Sequence, residues 1–393
     1  ASRVTRLPAL EVPATGFRDL EAALGLEWLV TDGTGSYASS TVPGCNTRRY
    51  HGLLVAARRP PGDRAVLLSR VEDELTVDGE RIELATSEYP GAFHPAGWRH
   101  LVRFRLDPFP AATFAAGGVS VTREVFPLRG RRAMAVRWLL AGSAPRAEIA
   151  IRPVVAGRSF HHLARPDAGF SQVPCGRPGE VGIAGREGLA ELVLRLQTGT
   201  FEPSGLRFHR QQYRVERERG LDFEEDLWSP GRFVAVLERG VPLVLVAAAG
   251  EPGEVDPEAE RTRELERRAA LVRAAPHLDP RLVLAADDFV VRRGDAGWIL
   301  AGFHWFDAWG RDTFVSLEGL TLATRRWGDA RAILETWAGR VTGGILPNFL
   351  APDPTADATN SIDAGLWFVH AIGRYLSVTG DEVGVLTRLW PAA

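Results

Sequence analysis

The chain has 393 residues, of which 45% are hydrophobic and 24% are charged, and its formal net charge at pH 7 is −2. This length accommodates two or three domains, and the composition is that of an ordinary globular protein. A charge so close to zero gives no reason to expect nucleic acid or a membrane surface as a partner.

The sequence shows neither a membrane-spanning segment nor a secretion signal. No apolar run reaches the roughly 20 residues of a spanning helix, and residues 1–11 lack the charged-then-apolar layout of a signal. Cys45 and Cys175 cannot form a disulfide framework, and no cysteine/histidine spacing indicates zinc. The sequence therefore predicts a cytoplasmic protein with no metal.

Residues 1–254 are dominated by short alternating apolar and polar runs, separated by glycine and proline. Asp78-Gly79 lies between two such runs and predicts a hairpin. Similar runs recur as far as residues 233–248. Many strands and few helices predict a large antiparallel β-sandwich, built of two extended sheets, over residues 1–254.

The segment from Gly33 to Ala38 fits the loose dinucleotide-binding pattern G-x-G-x-x-A after a strand-like run. Pro43 and Gly44 follow too soon for a helix whose N-terminus could hold a pyrophosphate. No acidic residue lies about 20 residues further on to bind a ribose. We therefore interpret the glycines as marking a tight turn or bulge, and predict no cofactor.

Residues 46–55 form a polar, aromatic-bearing stretch that runs into an apolar strand. They fit an edge strand with a polar lead-in, or a ligand-binding stretch, and the pattern does not separate the two. His51 alone is most simply a hydrogen-bonded structural residue, and His161-His162 indicates a loop. Residues 224–226 are all acidic and indicate a solvated turn.

The pattern becomes helical beyond residue 254. A charged stretch predicts a helical linker over residues 255–286, and residues 287–393 form the third region. Within that region we predict helices over residues 312–325, 329–341, 361–376 and 381–390. Asp329 is the predicted N-cap of the second of these helices, and Ser361-Ile362-Asp363 begins the third.

The segment from His304 to Phe314 combines two indoles, two carboxylates and a guanidinium. Flat apolar faces beside bidentate polar groups match the two characters of a sugar ring. The alternative is core aromatics beside a local ion pair of Arg311 and Asp312 at a helix start. Three loops that precede or follow helices carry polar groups, at Asp307 and Asp312, at Asn348, and at Asn360 and Asp363. A helical barrel would gather such loops at one end and so form a pocket.

Residues 27–38 and 46–55 resemble the N-terminal signature of glycogen debranching enzymes of the bacterial and archaeal type. Residues 305–314, 344–348 and 361–368 resemble the start of that family's amylo-α-1,6-glucosidase domain. Three ordered motif blocks are much more specific than any one of them. The middle of the chain matches the family only in general character.

The resemblance implies a β-supersandwich followed by an (α/α)6 barrel that hydrolyses α-1,6-linked glucose in glycogen or a branched α-glucan, with inversion. It implies that Arg311 and Asp312 hydrogen-bond the hydroxyls of the terminal glucose. The remaining residues that the resemblance places at this subsite or on neighbouring loops are Trp305, Asp307, Trp309, Asn348 and Asp363. Inverting hydrolysis also needs one protonated carboxyl and one carboxylate across the ring.

The sequence departs from the family pattern in the number of helices. An (α/α)6 barrel has twelve, and about four fit between Asp287 and Ala393. The family's Trp-Met-Asp block has no counterpart, since the only methionine is Met134, and the late glutamate is also missing. We therefore expect the general acid and base to lie beyond Ala393, and expect this chain alone to release no glucose. A lesser departure is Ser36, where the family usually has glycine.

Two other functions remain open at this point. One is another hydrolase of (α/α)6 architecture, or a disaccharide phosphorylase, although no phosphate-binding motif is visible in the sequence. The other is a glucan-binding protein without catalysis. The sequence predicts no oligomeric state and does not indicate whether a glucanotransferase activity is present.

Overall fold

The computed structural model describes residues 7, 9–106, 108–164, 172–173, 177–184, 188–350 and 357–393. Up to residue 249 the described chain is mainly strands, which pair antiparallel in two large sheets and one small hairpin. In chain order these strands are β1 Leu10–Val12, β2 Glu27–Thr31, β3 Tyr37–Thr41, β4 Gly52–Arg59, β5 Gly62–Val77, β6 Glu80–Glu83, β7 Thr86–Tyr89, β8 Ala92–Ala96, β9 Leu101–Leu106, β10 Pro110–Ala116, β11 Val119–Leu128, β12 Ala133–Gly142, β13 Arg146–Ser159, β14 Gln172–Val173, β15 Glu180–Ile183, β16 Leu192–Leu196, β17 Thr200–Gln212, β18 Glu224–Glu238 and β19 Leu243–Ala249. Two short helices lie among them, α1 Leu20–Leu24 and α2 Arg214–Glu218.

The nine-stranded sheet has the order β1-β9-β10-β11-β12-β19-β16-β15-β14. The other large sheet runs β17-β18-β13-β5-β4-β3-β2, with β6 paired to β5. Side chains of both sheets, including Phe126, Trp138 and Phe233, form one buried core. Burying a large apolar side chain contributes about 1.5–3 kcal/mol, so this shared core holds the sheets together. The prediction of an antiparallel β-sandwich is confirmed at this level.

Two turn predictions agree with the backbone. Asp78 and Gly79 join β5 to β6 with φ of 51° and 86°, which two central residues of a tight hairpin turn require. Gly33 and Gly35 have φ of 78° and 96°, as expected for a tight turn. A Cβ on Gly35 would lie 2.3 Å from the carbonyl oxygen of Pro61, so this glycine permits close approach of two backbones.

The structure excludes one of the two alternatives for residues 46–55 and contradicts the prediction for residues 224–226. Strand β4 lies between β3 and β5, so residues 46–55 do not lead into an edge strand. The acidic residues 224–226 begin β18, and the Glu225 side chain is buried. The Glu225 carboxylate pairs with Arg158 and accepts hydrogen bonds from the Tyr213 hydroxyl and, at 2.7 Å, the Ala164 amide. The run of like charges predicted side chains exposed to solvent. Instead Glu225 is buried, and Arg158 neutralises its charge.

The rest of the chain is mainly helical. Its elements are α3 Pro257–Ala274, α4 Pro280–Phe289, the strands β20 Val290–Arg293 and β21 Ala296–Ile299, α5 Gly310–Leu317, α6 Trp327–Ala338, α7 Asp363–Thr379 and α8 Glu382–Gly384. π-helical turns extend α5 to Leu322 and α8 to Leu389. The predicted helices are therefore present with shifted ends, and the hairpin of β20 and β21 was not predicted. Asp329 is not an N-cap: α6 begins at Trp327, and Asp329 pairs with Arg326 in its first turn.

The helical part rests on the outer face of the eight-stranded sheet. Tyr37, Val55, Val66 and Phe160 of the sandwich form a small apolar cluster there, against which Phe303 packs. The strands in the middle of this sheet are therefore covered on both faces, which explains the unbroken apolar run of β4.

A buried ionic network joins the same two parts of the chain. Asp287, at the end of α4, pairs with Arg326 at 2.8 Å, with Arg129 of the sandwich at 3.5 Å and with Arg267 of α3. These arginines hold the pKa of the Asp287 carboxyl far below its ordinary value, against the effect of burial. Within the described parts of the chain, no helix is long and apolar enough to span a bilayer.

Candidate functional site

The segment from Phe303 to Asp307, which we call the anchored segment, lies against the sandwich. The Phe303 ring packs edge-on against Tyr37 with centroids 5.3 Å apart. The Trp305 ring lies 5.5 Å from that of Tyr50. Such pairs contribute about 0.5–1.5 kcal/mol beyond the area that they bury. Part of the aromatic content of the predicted sugar site therefore holds the helical part to the sandwich.

Arg64 of β5 is fully buried beneath this segment. Its Nη1 donates to the carbonyl oxygen of His304 at 3.1 Å, and its Nη2 donates to that of Phe306 at 2.8 Å. The same Nη2 lies 3.0 Å from Oδ1 of Asp307. Burial lowers the pKa of the guanidinium, and the Asp307 carboxylate opposes that effect. One sandwich side chain thus contacts two backbone carbonyls and the carboxylate of a predicted sugar-binding residue, all within residues 304–307.

Trp305 also contacts two arginines of the sandwich. The guanidinium of Arg219 lies 4.7 Å from its ring centroid, and that of Arg48 lies 6.0 Å away. Cations at these distances are attracted to the electron-rich face of an indole, by about 0.5–2 kcal/mol each. The indole is therefore occupied by protein contacts on the sandwich side and only partly exposed.

Glu27, His51 and His304 bring three candidate metal-ligand atoms within 4.8 Å of one another. The Thr47 amide donates to Nδ1 of His51 at 3.1 Å, so the proton of the neutral ring is on Nε2. That protonated nitrogen lies 3.6 Å from Oε1 of Glu27 and has no free lone pair for a cation. Nε2 of His51 is therefore a hydrogen-bond donor that faces the Glu27 carboxylate, and these three residues do not suit a metal site.

The two histidine rings lie 5.1 Å apart at this contact, and both are buried. Burial lowers the pKa of His304 to about 4, helped by Arg48 and Arg64. Burial also puts the pKa of His51 well below its ordinary value, with His304 and Arg48 adding to the effect. Nε2 of His304 lies 2.8 Å from the Ser39 hydroxyl, which itself donates to the Trp28 carbonyl. His304 is therefore the donor to Ser39, and His51 is structural as predicted.

Three loops meet beside the anchored segment; we call residues 309–312, 348–349 and 361–363 the open loops. Arg311 donates through Nε and Nη2 to both carboxylate oxygens of Asp363, at 2.6 and 3.0 Å. The Arg311 amide lies 3.4 Å from Oδ1 of Asn348, and the Gly310 amide donates to the Asn348 carbonyl at 2.8 Å. Polar groups that are 37 and 52 residues apart in sequence are therefore neighbours in space.

The remaining predicted residues of the open loops are Asp312 and Trp309. Asp312 lies in the first turn of α5 and is exposed, and its carboxylate forms no ion pair among the residues that the structure describes. The Trp309 ring lies 5.2 Å from that of Phe349 and is partly exposed. A free carboxylate and two aromatic faces thus flank the bidentate pair of Arg311 and Asp363.

The seven predicted sugar-site residues therefore divide into two groups. Trp305 and Asp307 belong to the anchored segment, and the other five belong to the open loops. Asp307 lines a cavity of about 150 Å³ together with Gly62 and Leu350, and the residues that line this cavity include none of the open loops. Burial raises the pKa of Asp307, with Arg64 acting against the shift.

Reasoning from the sequence missed the sandwich side of this site. Arg64, Tyr37 and Ser39 all contact the anchored segment, yet none stands in a motif that indicates it. The only signal was an arginine at the start of the apolar run of β5. Cys45 is buried and unbridged, and Cys175 lies outside the described residues.

Comparisons with known proteins show a family and a similar fold. Residues 26–244 match a family model described as glycogen debranching enzyme N terminal, and residues 284–393 match one described as amylo-alpha-1,6-glucosidase. Over 92 residues, or 22% of the chain, it is 32% identical to the glycogen debranching enzyme of Saccharomyces cerevisiae and covers 6% of that protein. The structure of a bacterial glucoamylase complexed with acarbose aligns with 97% of the chain at a TM-score of 0.50 and 8% identity, and the chain covers 56% of it. That likeness shows the fold alone, and the chain spans only part of either relative.

Proposed function

Since the chain belongs to the glycogen debranching enzyme family, whose N-terminal model covers more than half of it, we propose that it supplies the glucose-recognition part of a glycoside hydrolase. The substrate would be glycogen or a branched α-glucan, and the bond cleaved would be the α-1,6 linkage to a single glucose. The observation that carries this proposal is the meeting of the three open loops around Arg311 and Asp363.

The chemistry of the open loops suits the end of a glucan chain. Arg311 supplies donors, while Asp312, Asn348 and Asp363 supply acceptors, so vicinal hydroxyls could find both kinds of partner. Hydrogen bonding by Arg311 lowers the pKa of Asp363 to about 2, so this carboxylate remains an acceptor near neutral pH. The ring of Trp309 offers an apolar face for the C–H side of the pyranose.

Inverting hydrolysis also needs a protonated carboxyl and a carboxylate about 6.5–9.5 Å apart. We assign neither role to a residue of this chain. The open loops would hold the terminal glucose, and binding energy from that contact would position the scissile bond for groups elsewhere in the full-length protein.

We also propose the three-part division into a β-supersandwich over residues 1–254, a linker over 255–286 and the first helices of an (α/α)6 barrel over 287–393. The barrel is supported by the glucoamylase fold and by apolar side chains that face outward from the helices. Leu366 is 69% exposed, Leu386 65% and Trp390 60%. Large apolar side chains of this kind indicate surfaces that pack against further structure.

The test of the proposed function is Asp312→Ala in the full-length protein. We expect kcat/KM for an oligosaccharide that carries a single α-1,6-linked glucose to fall by about 10- to 100-fold, because a charged hydrogen bond to the glucose is lost. Released glucose and steady-state kinetics measure this effect. The free energy of unfolding should change little, since the carboxylate is exposed.

Glu382→Ala is the matched control, because Glu382 is an exposed acid in the first turn of another helix, beyond the far end of α7. Its kinetics should equal those of the wild type. Equal kinetics for Asp312→Ala would contradict the glucose-binding role of the open loops. Release of glucose 1-phosphate that depends on added phosphate would identify a phosphorylase instead.

A further inference from the structure

We propose that Arg64 of the sandwich is a positioning residue for glucose recognition, which acts by holding the Asp307 carboxylate and the backbone of the anchored segment in place. This inference rests on the proposed function and deepens it, because it assigns part of the glucose site to the sandwich. Arg64 itself touches no substrate, since it is fully buried.

The contacts of Arg64 leave its guanidinium little freedom. Two of its nitrogens hold the His304 and Phe306 carbonyls and the Asp307 carboxylate, at 2.8–3.1 Å. The guanidinium also lies 5.3 Å from the ring centroid of Phe160 and 5.5 Å from that of Phe303. A planar, delocalised cation can satisfy two carbonyls, a carboxylate and two ring faces at once, whereas an ammonium cannot.

A displacement of Asp307 would be transmitted to the open loops through a short length of chain. Asp307 is separated from Trp309 only by Ala308, whose side chain is fully buried. The Ala308 carbonyl accepts a hydrogen bond from the Leu350 amide at 3.3 Å, which ties it to the loop of Asn348. Displacement of Asp307 would therefore move Trp309 and the start of α5. Misplacement of such groups by about 1 Å can lower rates severely.

Asp307 is not merely a buried partner of Arg64, because its side chain is 22% exposed. It faces the cavity that Gly62 and Leu350 also line, and a Cβ on Gly62 would lie 2.9 Å from its carboxylate carbon. Its carboxylate can therefore accept a hydrogen bond from a ligand while it contacts Arg64 on its buried side.

The charges around Asp307 predict a pH signature. Arg64 favours the ionised carboxylate, whereas Asp63, which precedes Arg64 in β5, disfavours it. Arg59 and Arg293 line the same cavity, as does Arg340, which is paired with Asp357. Without Arg64, burial and Asp63 would raise the proton affinity of Asp307, and the ionised acceptor would be lost at a higher pH.

The experiment compares Arg64→Met and Arg64→Lys with the wild type in the full-length protein, using the same α-1,6-glucosylated oligosaccharide. We expect Arg64→Met to raise KM by about tenfold, to change kcat less, and to move the acid limb of kcat/KM to higher pH. Arg64→Lys restores a positive charge, so it should return the acid limb toward the wild-type pH while KM stays raised. In an Asp307→Asn background, Arg64→Met should no longer shift the acid limb.

Arg123→Met is the matched control. Arg123 is a largely buried sandwich arginine that pairs with buried Asp73 at 2.7 Å, away from the anchored segment. The Arg123→Met variant should have lower thermal stability. At a temperature where the protein is folded, its KM and the acid limb of its kcat/KM profile should equal those of the wild type. If Arg64→Met and Arg64→Lys behave like this control, Arg64 is only structural and the inference is wrong, while the proposed function stands. If the full-length wild-type protein releases no glucose from this oligosaccharide, the proposed function fails, and this inference fails with it.

Discussion

The anchored segment and the open loops contain the same kinds of side chain, but their surroundings differ. In the anchored segment, Asp307 faces a fully buried arginine and His304 is buried and neutral. In the open loops, the Arg311 and Asp363 side chains of the ion pair are 56% and 41% exposed. Both regions contain an Asp–Arg pair, but the pair of Arg64 and Asp307 is the more buried, with side chains 0% and 22% exposed.

The two environments differ in what it costs to break each ion pair. Removing Asp307 leaves the fully buried Arg64 with an uncompensated charge, which is costly. An exposed pair contributes little to stability and exchanges easily with other hydrogen-bonding partners, such as sugar hydroxyls. Residue type alone would give both pairs the same role. Three predictions test this difference between the two regions.

The largest expected effect is the contrast between Asp307→Ala and Asp363→Ala. Removal of the Asp307 carboxylate leaves the buried Arg64 guanidinium without its only acidic partner among the described residues, and should lower the free energy of unfolding by about 2–3 kcal/mol. Asp363→Ala should leave it unchanged within error, because that pair is exposed. Urea unfolding followed by tryptophan fluorescence measures both. Equal destabilisation by the two variants would contradict the division into an anchored and an open region.

A smaller effect is expected from the pH dependence that His304 contributes. Its folded pKa of about 4 lies below the ordinary value of 6.5, so the unfolded state takes up a proton first as the pH falls. Stability from this group is therefore present above pH 6.5 and is lost as the pH falls toward 4. His304→Gln removes that dependence while retaining a donor for Ser39. The difference in unfolding free energy between wild type and variant should fall by about 1 kcal/mol from pH 7 to pH 5.5.

The wild type has to be compared with His304→Gln, because Asp32 and Asp288 change the stability in the opposite direction as the pH falls. Burial raises the pKa of each to about 6, so the folded state takes up their protons first and gains stability as the pH falls below 6. A flat difference for His304→Gln would mean that the ring is charged or hydrated in the folded protein.

The smallest effect concerns the close contact between the sandwich and Asp307. A Cβ at Gly62 would lie 2.9 Å from the Asp307 carboxylate, whereas at Gly205 its nearest neighbour would be 3.6 Å away. Alanine at a compatible glycine stabilises a protein by about 0.4–1 kcal/mol. Gly62→Ala should therefore be less stable than Gly205→Ala by about 1 kcal/mol, and its KM in the full-length protein should rise by about twofold. Identical stability and KM for the two variants would show that the Asp307 carboxylate has room to move.

The sequence predicted the local elements because they depend on nearby residues. The alternating runs predicted the strands of the sandwich. Asp78-Gly79 predicted the turn between β5 and β6, because left-handed backbone favours these residue types. The helix at residues 363–379 was predicted with its start shifted by two residues. The grouping of Arg311, Asn348 and Asp363 was also expected, from polar residues in loops beside the predicted helices.

Contacts between distant segments could not be predicted in this way. Residues 224–226 predicted exposure to solvent, but Arg158 of β13 and Tyr213, which precedes α2, contact Glu225, which is buried. Residues 46–55 fitted an edge strand as one alternative, because nothing in their pattern reveals that β4 pairs with both β3 and β5.

The order of strands before helices, the family and the polar groups of the open loops could therefore be predicted from the sequence. The positions of Trp305 and Asp307 against the sandwich, and the contact of Arg64 with Asp307, could be found only from the tertiary structure. The physical reason is that burial and charge pairing depend on which surfaces meet. Arg64 and the His304 carbonyl lie 240 residues apart in sequence, so neither position carries a local signal of the other.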